Sequence, residues 1–209
     1  MNESQLNTIE SYNRSAGQFF ERIAKLPNYN HTYDVLIEKL NNNDCVLDLA
    51  CGPAQISKYI MNKKHVNITG VDLSDKMLQI AQKELPSGNF YKDSIITFTN
   101  HCKYHAVIIG FGIPYLDKTQ TEECIKNAIE NIIDNYYLYI SFMDGKGCRV
   151  EKTSFGGDND FTIYYYKKDE IEYLLEKYNM KIIKDFELDY QEKDGSISKD
   201  IILIGQKYN

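Results

Sequence analysis

The chain has 209 residues, 43% hydrophobic and 26% charged, which suits one globular domain and is too short for two full ones. Its 24 Lys+Arg against 30 Asp+Glu leave a net charge of −6, which argues against a protein that holds nucleic acid by broad phosphate neutralisation. The longest apolar run, Ala106 to Ile113, falls far short of the about 18 residues a membrane helix needs. The amino terminus lacks the basic-then-apolar order of a secretory signal, so a cytoplasmic protein is expected. The cysteines at 45, 51, 102, 124 and 148 are odd in number and show no Cys-x-x-Cys spacing, which suits a reducing compartment. His101, Cys102 and His105 match no common metal-site spacing, and no metal is expected.

In chain order, Ala16, Phe19, Phe20 and Ile23 predict a first helix, and Tyr33, Leu36, Ile37 and Leu40 a second. From residue 45 the pattern alternates. Cys45–Ala50 reads as a buried strand, and Ile56, Tyr59 and Ile60 as a helix. Asn67–Val71 reads as a strand, followed by a helix with Ser74 as N-cap and Met77, Leu78, Ala81 and Leu85 on one face. Asn89–Lys92 is a short strand, and Ala106–Phe111 is apolar on both faces, as a central parallel strand requires. Ile125, Ala128, Ile129 and Ile132 predict a helix, Tyr136–Phe142 a strand, and Ile171, Leu174, Leu175 and Tyr178 the last helix. Lys181–Tyr190 and Asp200–Gln206 flank a hairpin turn at Lys193-Asp194-Gly195. Strand–helix alternation implies an α/β fold with a parallel sheet and helices on both faces. Segment 144–167 reads as an irregular, glycine-rich stretch, a length usually tied to function in a compact domain.

The segment richest in chemistry is Val46-Leu-Asp-Leu-Ala-Cys-Gly-Pro-Ala54, a buried strand that turns sharply into a helix. Ligands of open α/β sheets bind beyond the carboxyl ends of the strands. A glycine there admits close backbone approach, and the helix N-terminus favours an anionic group. Asp72 ends the next strand, where an acid can accept from both hydroxyls of a ribose. A nucleoside-containing ligand follows. A dinucleotide wants several glycines against its pyrophosphate, yet Gly52 stands alone between Ala50 and Ala54. S-adenosylmethionine, which has no phosphate, makes a looser demand.

Here the chain resembles the class I S-adenosylmethionine-dependent methyltransferases, small-molecule type. Asp48-Leu-Ala-Cys-Gly52-Pro-Ala54 resembles the family's first motif and Val71-Asp72-Leu-Ser-Asp-Lys-Met77-Leu its second. Asp93-Ser94 resembles the third, and Ala106–Leu116 the strand and loop of the fourth. The resemblance implies a Rossmann-like sheet of seven strands in the order 3-2-1-4-5-7-6, with strand 7 antiparallel. It implies S-adenosyl-L-methionine as cofactor and S-adenosyl-L-homocysteine as product. By the same resemblance, Ala50, Cys51 and Gly52 would hold the methionine end, and Asp48 would orient that turn and reach the ammonium group. Asp72 would bind the ribose, Leu73 and Met77 would sandwich the adenine, Asp93 and Ser94 would serve its ring, and Gly110 would offer a carbonyl. Plainer readings remain open: Asp48 as a turn acid, Asp72 as a helix cap, Met77 as core, Asp93 as a turn residue. The sequence departs from the family at Ala50 and Ala54, and at His105, where many members have Asp.

The implied reaction is in-line methyl transfer within a single domain, 1–209. Residues 1–42 would form a helical cover and 144–167 an insertion over the pocket. Tyr12, His31 and Tyr115 are candidate bases for an acceptor that must lose a proton. The Tyr164-Tyr165-Tyr166 run either packs or lines the acceptor pocket. A small-molecule acceptor is expected, with neither nucleic acid nor membrane as partner, in a monomer or homodimer. The alternatives are an RNA or protein methyltransferase and a non-catalytic S-adenosylmethionine-binding module.

Overall fold

The computed structural model describes residues 3–23, 29–152, 160–191 and 195–208. Among these residues are nine strands, seven of them in one sheet and two in a separate ribbon, and six α-helices. In chain order they are α1 (Glu3–Ile23), α2 (Asn30–Lys39), β1 (Cys45–Leu49), α3 (Gln55–Lys63), β2 (Asn67–Asp72), α4 (Asp75–Glu84), β3 (Asn89–Lys92) and β4 (Tyr104–Gly110). Then follow α5 (Lys118–Glu130), β5 (Ile132–Met143), β6 (Gly147–Lys152), β7 (Asp160–Tyr165), α6 (Lys168–Lys177), β8 (Met180–Gln191) and β9 (Ile197–Lys207). The large sheet runs β3-β2-β1-β4-β5-β9-β8. Its first five strands are parallel, and β9 alone runs opposite to both of its neighbours, β5 and β8. With β8 and β9 as its sixth and seventh members, this is the expected order.

Successive side chains of a strand point to opposite faces, so each central strand feeds two cores. Leu47, Leu49, Val107, Ile109 and Leu138 face α5 and α6, where Ile125, Ala128, Ile171 and Leu175 close over them. Val46, Ile68, Ala106, Ile108 and Ile202 face α2 and α3. Leu36, Ile37 and Leu40, expected in a cover, are fully buried in this second core. Thus α2 is built into the body of the fold, whereas α1 packs on α4 and on β7 of the ribbon.

Two elements differ from expectation. Ile132 opens β5 and does not close α5, because Asn131 ends the helix and its side-chain Nδ2 donates to the Asn127 carbonyl at 2.9 Å. Within segment 144–167 the described residues form regular structure: β6 and β7 pair as an antiparallel ribbon, with Cys148 opposite Tyr164. The apolar residues of β6 do not mark a core face, since Val150 is 66% exposed, whereas Ile163 of β7 is buried. Tyr166 anchors the ribbon: buried, it donates from its hydroxyl to the Leu116 carbonyl at 2.6 Å and accepts from Thr121 at 2.9 Å. This makes Tyr166 a packing residue. Lys193 and Asp194 of the expected turn, and Gly156 and Gly157, lie outside the described residues.

His105 lies within β4, one residue after its start. Its Nδ1 accepts from the Cys45 amide at 3.0 Å and its Nε2 is 3.5 Å from Asp44. It ties β4 to β1 at the sheet's amino end, away from the edge where ligands bind. No helix among the described residues is long and apolar enough to cross a membrane, and no cluster of metal-binding side chains occurs among them.

Candidate active site

Parallel register brings the ends of β1, β2 and β4 to one edge: Leu49 pairs with Val71 and Ile109, next to Asp72 and Gly110. The turn 50–54 leaves that edge and starts α3. Ala50, Gly52 and Ala54 sit at φ of 59°, 52° and 62°. An L-residue in this left-handed region is strained by about 1–2 kcal/mol, so the turn keeps a glycine-like path although two positions are alanine. The compensation for Ala50 is at Gly112. A Cβ built there would stand 2.9 Å from the Ala50 methyl and 3.2 Å from Ile109, so glycine at 112 makes the room that alanine at 50 needs.

Asp72 holds this turn to the next one. Its Oδ2 accepts from the Gly52 amide at 2.9 Å and its Oδ1 from the Ser74 amide at 2.8 Å. Burial raises its pKa, while the amides of Ser74, Gly52 and Leu73 pull it back down. Ser74 is the expected N-cap of α4, its Oγ accepting from the Met77 amide at 3.2 Å. Asp48 sits below. It is 1% exposed, its Oδ2 accepts from Ser57 Oγ at 2.5 Å, and burial, reinforced by the nearby charge of Asp72, pushes its pKa up to about 7.

The other sequence candidates divide by position. Cys51 is buried, its thiol pushed well up by desolvation, and its amide donates to Val71 at 3.0 Å. A buried thiol held in its neutral form is a poor nucleophile. Leu73 is partly buried and Met77 wholly so. Asp93 is exposed and accepts from the Ser94 amide at 2.7 Å, and its own amide reaches the Asp72 carbonyl at 3.3 Å. Gly110 ends β4, where an added Cβ would collide with Ile56 Cδ1 at 2.4 Å. Tyr12 and Tyr115, named separately as bases, come together. Their hydroxyls are in direct contact and their rings meet edge to face at 5.6 Å. His31 is elsewhere, exposed and edge-on to Phe186 of the edge strand β8 at 5.4 Å.

Sequence reasoning missed Asn13 and the partners of Tyr29. Asn13 of α1 reaches Ser74, with its Oδ1 accepting from Ser74 Oγ at 2.7 Å. Tyr29, at the start of α2, donates to Asp200 at 2.6 Å, and its ring meets Phe111 at 5.4 Å, just past Gly110. Both contacts join residues more than sixty positions apart, which no local pattern reports.

The donor set can be tested against an S-adenosylmethionine-type ligand. A Cβ added at Gly52 meets nothing within 4 Å, so the turn opens onto free space at the strand ends. A carboxylate offers about four lone-pair sites, so Asp72 has acceptor capacity left beyond its backbone partners for a ribose hydroxyl. The residues fit the group. Gly52→Ala should therefore lower stability by only about 1–2 kcal/mol, the cost of the left-handed backbone. The new methyl enters that space, and calorimetric affinity for S-adenosylhomocysteine should fall more than tenfold.

Comparison with known proteins agrees with this geometry. Residues 46–132 match the family model described as a methyltransferase domain. Over 73 residues the chain is 46% identical to the demethylmenaquinone methyltransferase of Thermotoga maritima; the match covers 34% of this chain and 32% of that enzyme, about a third of its length. A solved S-adenosylmethionine-dependent methyltransferase of Methanosarcina mazei superposes with a TM-score of 0.74 at 16% identity, covering 83% of this chain and 97% of that one. The 1,6-didemethyltoxoflavin-N1-methyltransferase of Burkholderia thailandensis gives 0.73 at 12%, covering 98% and 88%. The magnesium protoporphyrin IX methyltransferase of Synechocystis gives 0.72 at 15%, covering 99% and 98%. These structural likenesses speak to the fold. Together with the match of residues 46–132 to a methyltransferase domain, they show a chain with the fold of S-adenosylmethionine-dependent methyltransferases and a local sequence similarity to one methyltransferase over about a third of its length.

Proposed function

We propose that this chain transfers the methyl group of S-adenosylmethionine to a small-molecule acceptor. The observation that carries the reading is the Gly52 amide held on the Asp72 carboxylate beside open space at the strand ends. When bound, the cofactor supplies a methyl carbon on a sulfonium, already a good leaving group. The protein's part is then to hold, orient and exclude water. Ala50, Cys51, Gly52 and the Gly110 carbonyl hold the methionine end, with Asp48 beneath the ammonium group. Asp72 holds the ribose, and Leu73, Met77, Asp93 and Ser94 hold the adenine.

Above this floor, α1 forms the ceiling. Its Gln5 donates to Gln120 at 3.0 Å, Tyr12 meets Tyr115 and Asn13 meets Ser74. These partners follow β4 and β2, so α1 crosses the carboxyl ends of the strands, with the β6–β7 ribbon beside it. An acceptor bound there would meet the Tyr12 and Tyr115 hydroxyls, which can take over the proton that a hydroxyl or amine acceptor loses. A ceiling this close supports a compact organic acceptor, as the names of the Burkholderia and Thermotoga enzymes also suggest for those proteins. The net charge of −6 supports it against RNA, and the cysteine pattern supports a cytosolic location.

The test is incubation of the full chain with methyl-labelled S-adenosylmethionine and a fractionated cell extract. Label is expected in a low-mass organic fraction. Label confined to RNA or protein, or binding without any transfer, would overturn the reading.

A further inference from the structure

The amino-terminal half of α1 meets the rest of the protein through a polar contact with unusual connections. Asn13 Oδ1 accepts from Ser74 Oγ at 2.7 Å and from the Lys76 amide at 3.2 Å. A backbone amide can only donate, so the oxygen of Asn13, not its amide nitrogen, must face this turn. The Ser74 hydroxyl gives its proton to Asn13 and keeps its lone pairs for the Met77 amide at 3.2 Å. The Ser74 amide in turn donates to Asp72 Oδ1 at 2.8 Å. One side chain from α1 thus completes the cap of α4 and stands two hydrogen bonds from the proposed ribose acid. Beside the contact, a cleft of about 350 Å³ separates α1 from α4, lined by Arg14, Gly17, Lys76, Gln79 and Lys83. The two helices also touch directly, with Ala16 of α1 buried, and the hydrogen bonds of Asn13 add a directional contact to that packing.

We infer that Asn13 is a positioning residue that latches α1 to the turn carrying Asp72, so that cofactor binding and closure of α1 reinforce each other. This rests on the proposed role of Asp72. A ligand that engages Asp72 fixes the 72–76 turn in the geometry Asn13 recognises, and by linkage a latched α1 holds that turn ready for the ligand. The coupling places the ceiling of the acceptor pocket under the control of cofactor occupancy. The acceptor then meets a completed site only when the methyl donor is in place.

The experiment uses the full chain and S-adenosylhomocysteine as the probe. Saturating wild-type protein should slow amide exchange in residues 3–23 at least tenfold. Asn13→Ala should bind the probe about tenfold more weakly, and the probe should no longer protect α1. Asn13→Asp keeps the accepting oxygen at a helix N-terminus that favours negative charge, and should recover both readouts to within about threefold. A merely structural asparagine would lower the urea midpoint without this rescue or the loss of ligand-dependent protection. Wild-type α1 exchanging at the same rate with and without probe overturns the latch even if Asn13→Ala does not fold. So does Asn13→Ala with wild-type affinity and protection. Asp72→Ala is the companion variant. If it loses the probe while Asn13→Ala does not, the latch alone fails; if it binds like wild type, the ribose assignment fails and the latch with it.

Discussion

Asp72→Ala is expected to bind S-adenosylhomocysteine about a hundredfold more weakly than the wild type, or worse. Two charge-assisted bonds to ribose hydroxyls contribute about 1.5 kcal/mol each at the low end, and about 1.4 kcal/mol is tenfold in affinity. The structure adds a second loss. The same carboxylate accepts from the amides of Gly52 and Ser74, so its removal also frees the two turns that shape the site. Stability should drop as well, because two partly buried N–H groups lose a charged partner. Asp72→Asn separates the two effects: one amide oxygen remains for one turn, so stability should recover more than affinity does. Calorimetry that finds Asp72→Ala within threefold of wild type would show that the ribose lies elsewhere.

The fold was legible where local chemistry and burial agree. Ser74 caps α4 as read, because a serine three residues before a buried methionine amide has a single helical use. The central strands were legible because both faces of each are core. The ribbon β6–β7 was not, since its apolar residues split between an exposed side at Val150 and a buried side at Ile163 and so point to no common core face. The role of α2 was misjudged for a related reason: Tyr33, Leu36, Ile37 and Leu40 mark an apolar face but do not say what it faces, and it faces β1, β4 and β9. Within the site, Gly52 and Asp72 could be proposed from their places at strand ends, and Asp48 from the family resemblance. The accommodation of Ala50 by Gly112, the meeting of Tyr12 with Tyr115 and the latch at Asn13 join distant segments, and only the folded chain brings them together.

Asp48 should make the protein less stable as pH rises, a trend that Asp48→Asn should abolish. Its carboxyl ionises at about 7 in the folded chain against an ordinary value of 3.8, because it is desolvated beside Asp72 with Ser57 Oγ as its hydrogen-bond partner. A raised acid binds its proton more tightly in the folded state than in the unfolded one. The sign follows: this contribution is full below about pH 4, is lost as pH rises from there to about 7, and is flat above. A carboxyl held that far up costs the fold on the order of 4 kcal/mol at pH 8. Asn keeps an oxygen for Ser57 and carries no charge to desolvate. Urea unfolding should therefore find Asp48→Asn more stable than wild type by about 2–4 kcal/mol at pH 8, with the difference vanishing near pH 4. Such a costly acid has a use only if a ligand's ammonium group stabilises its charged form. Binding of S-adenosylhomocysteine near pH 6 should then release a proton from wild type, seen as a dependence of the calorimetric enthalpy on the buffer's ionisation enthalpy. Asp48→Asn should release none and bind more weakly. Parallel stability curves for the two proteins between pH 4 and 8 would mean that Asp48 is ionised throughout and is only a structural partner of Ser57.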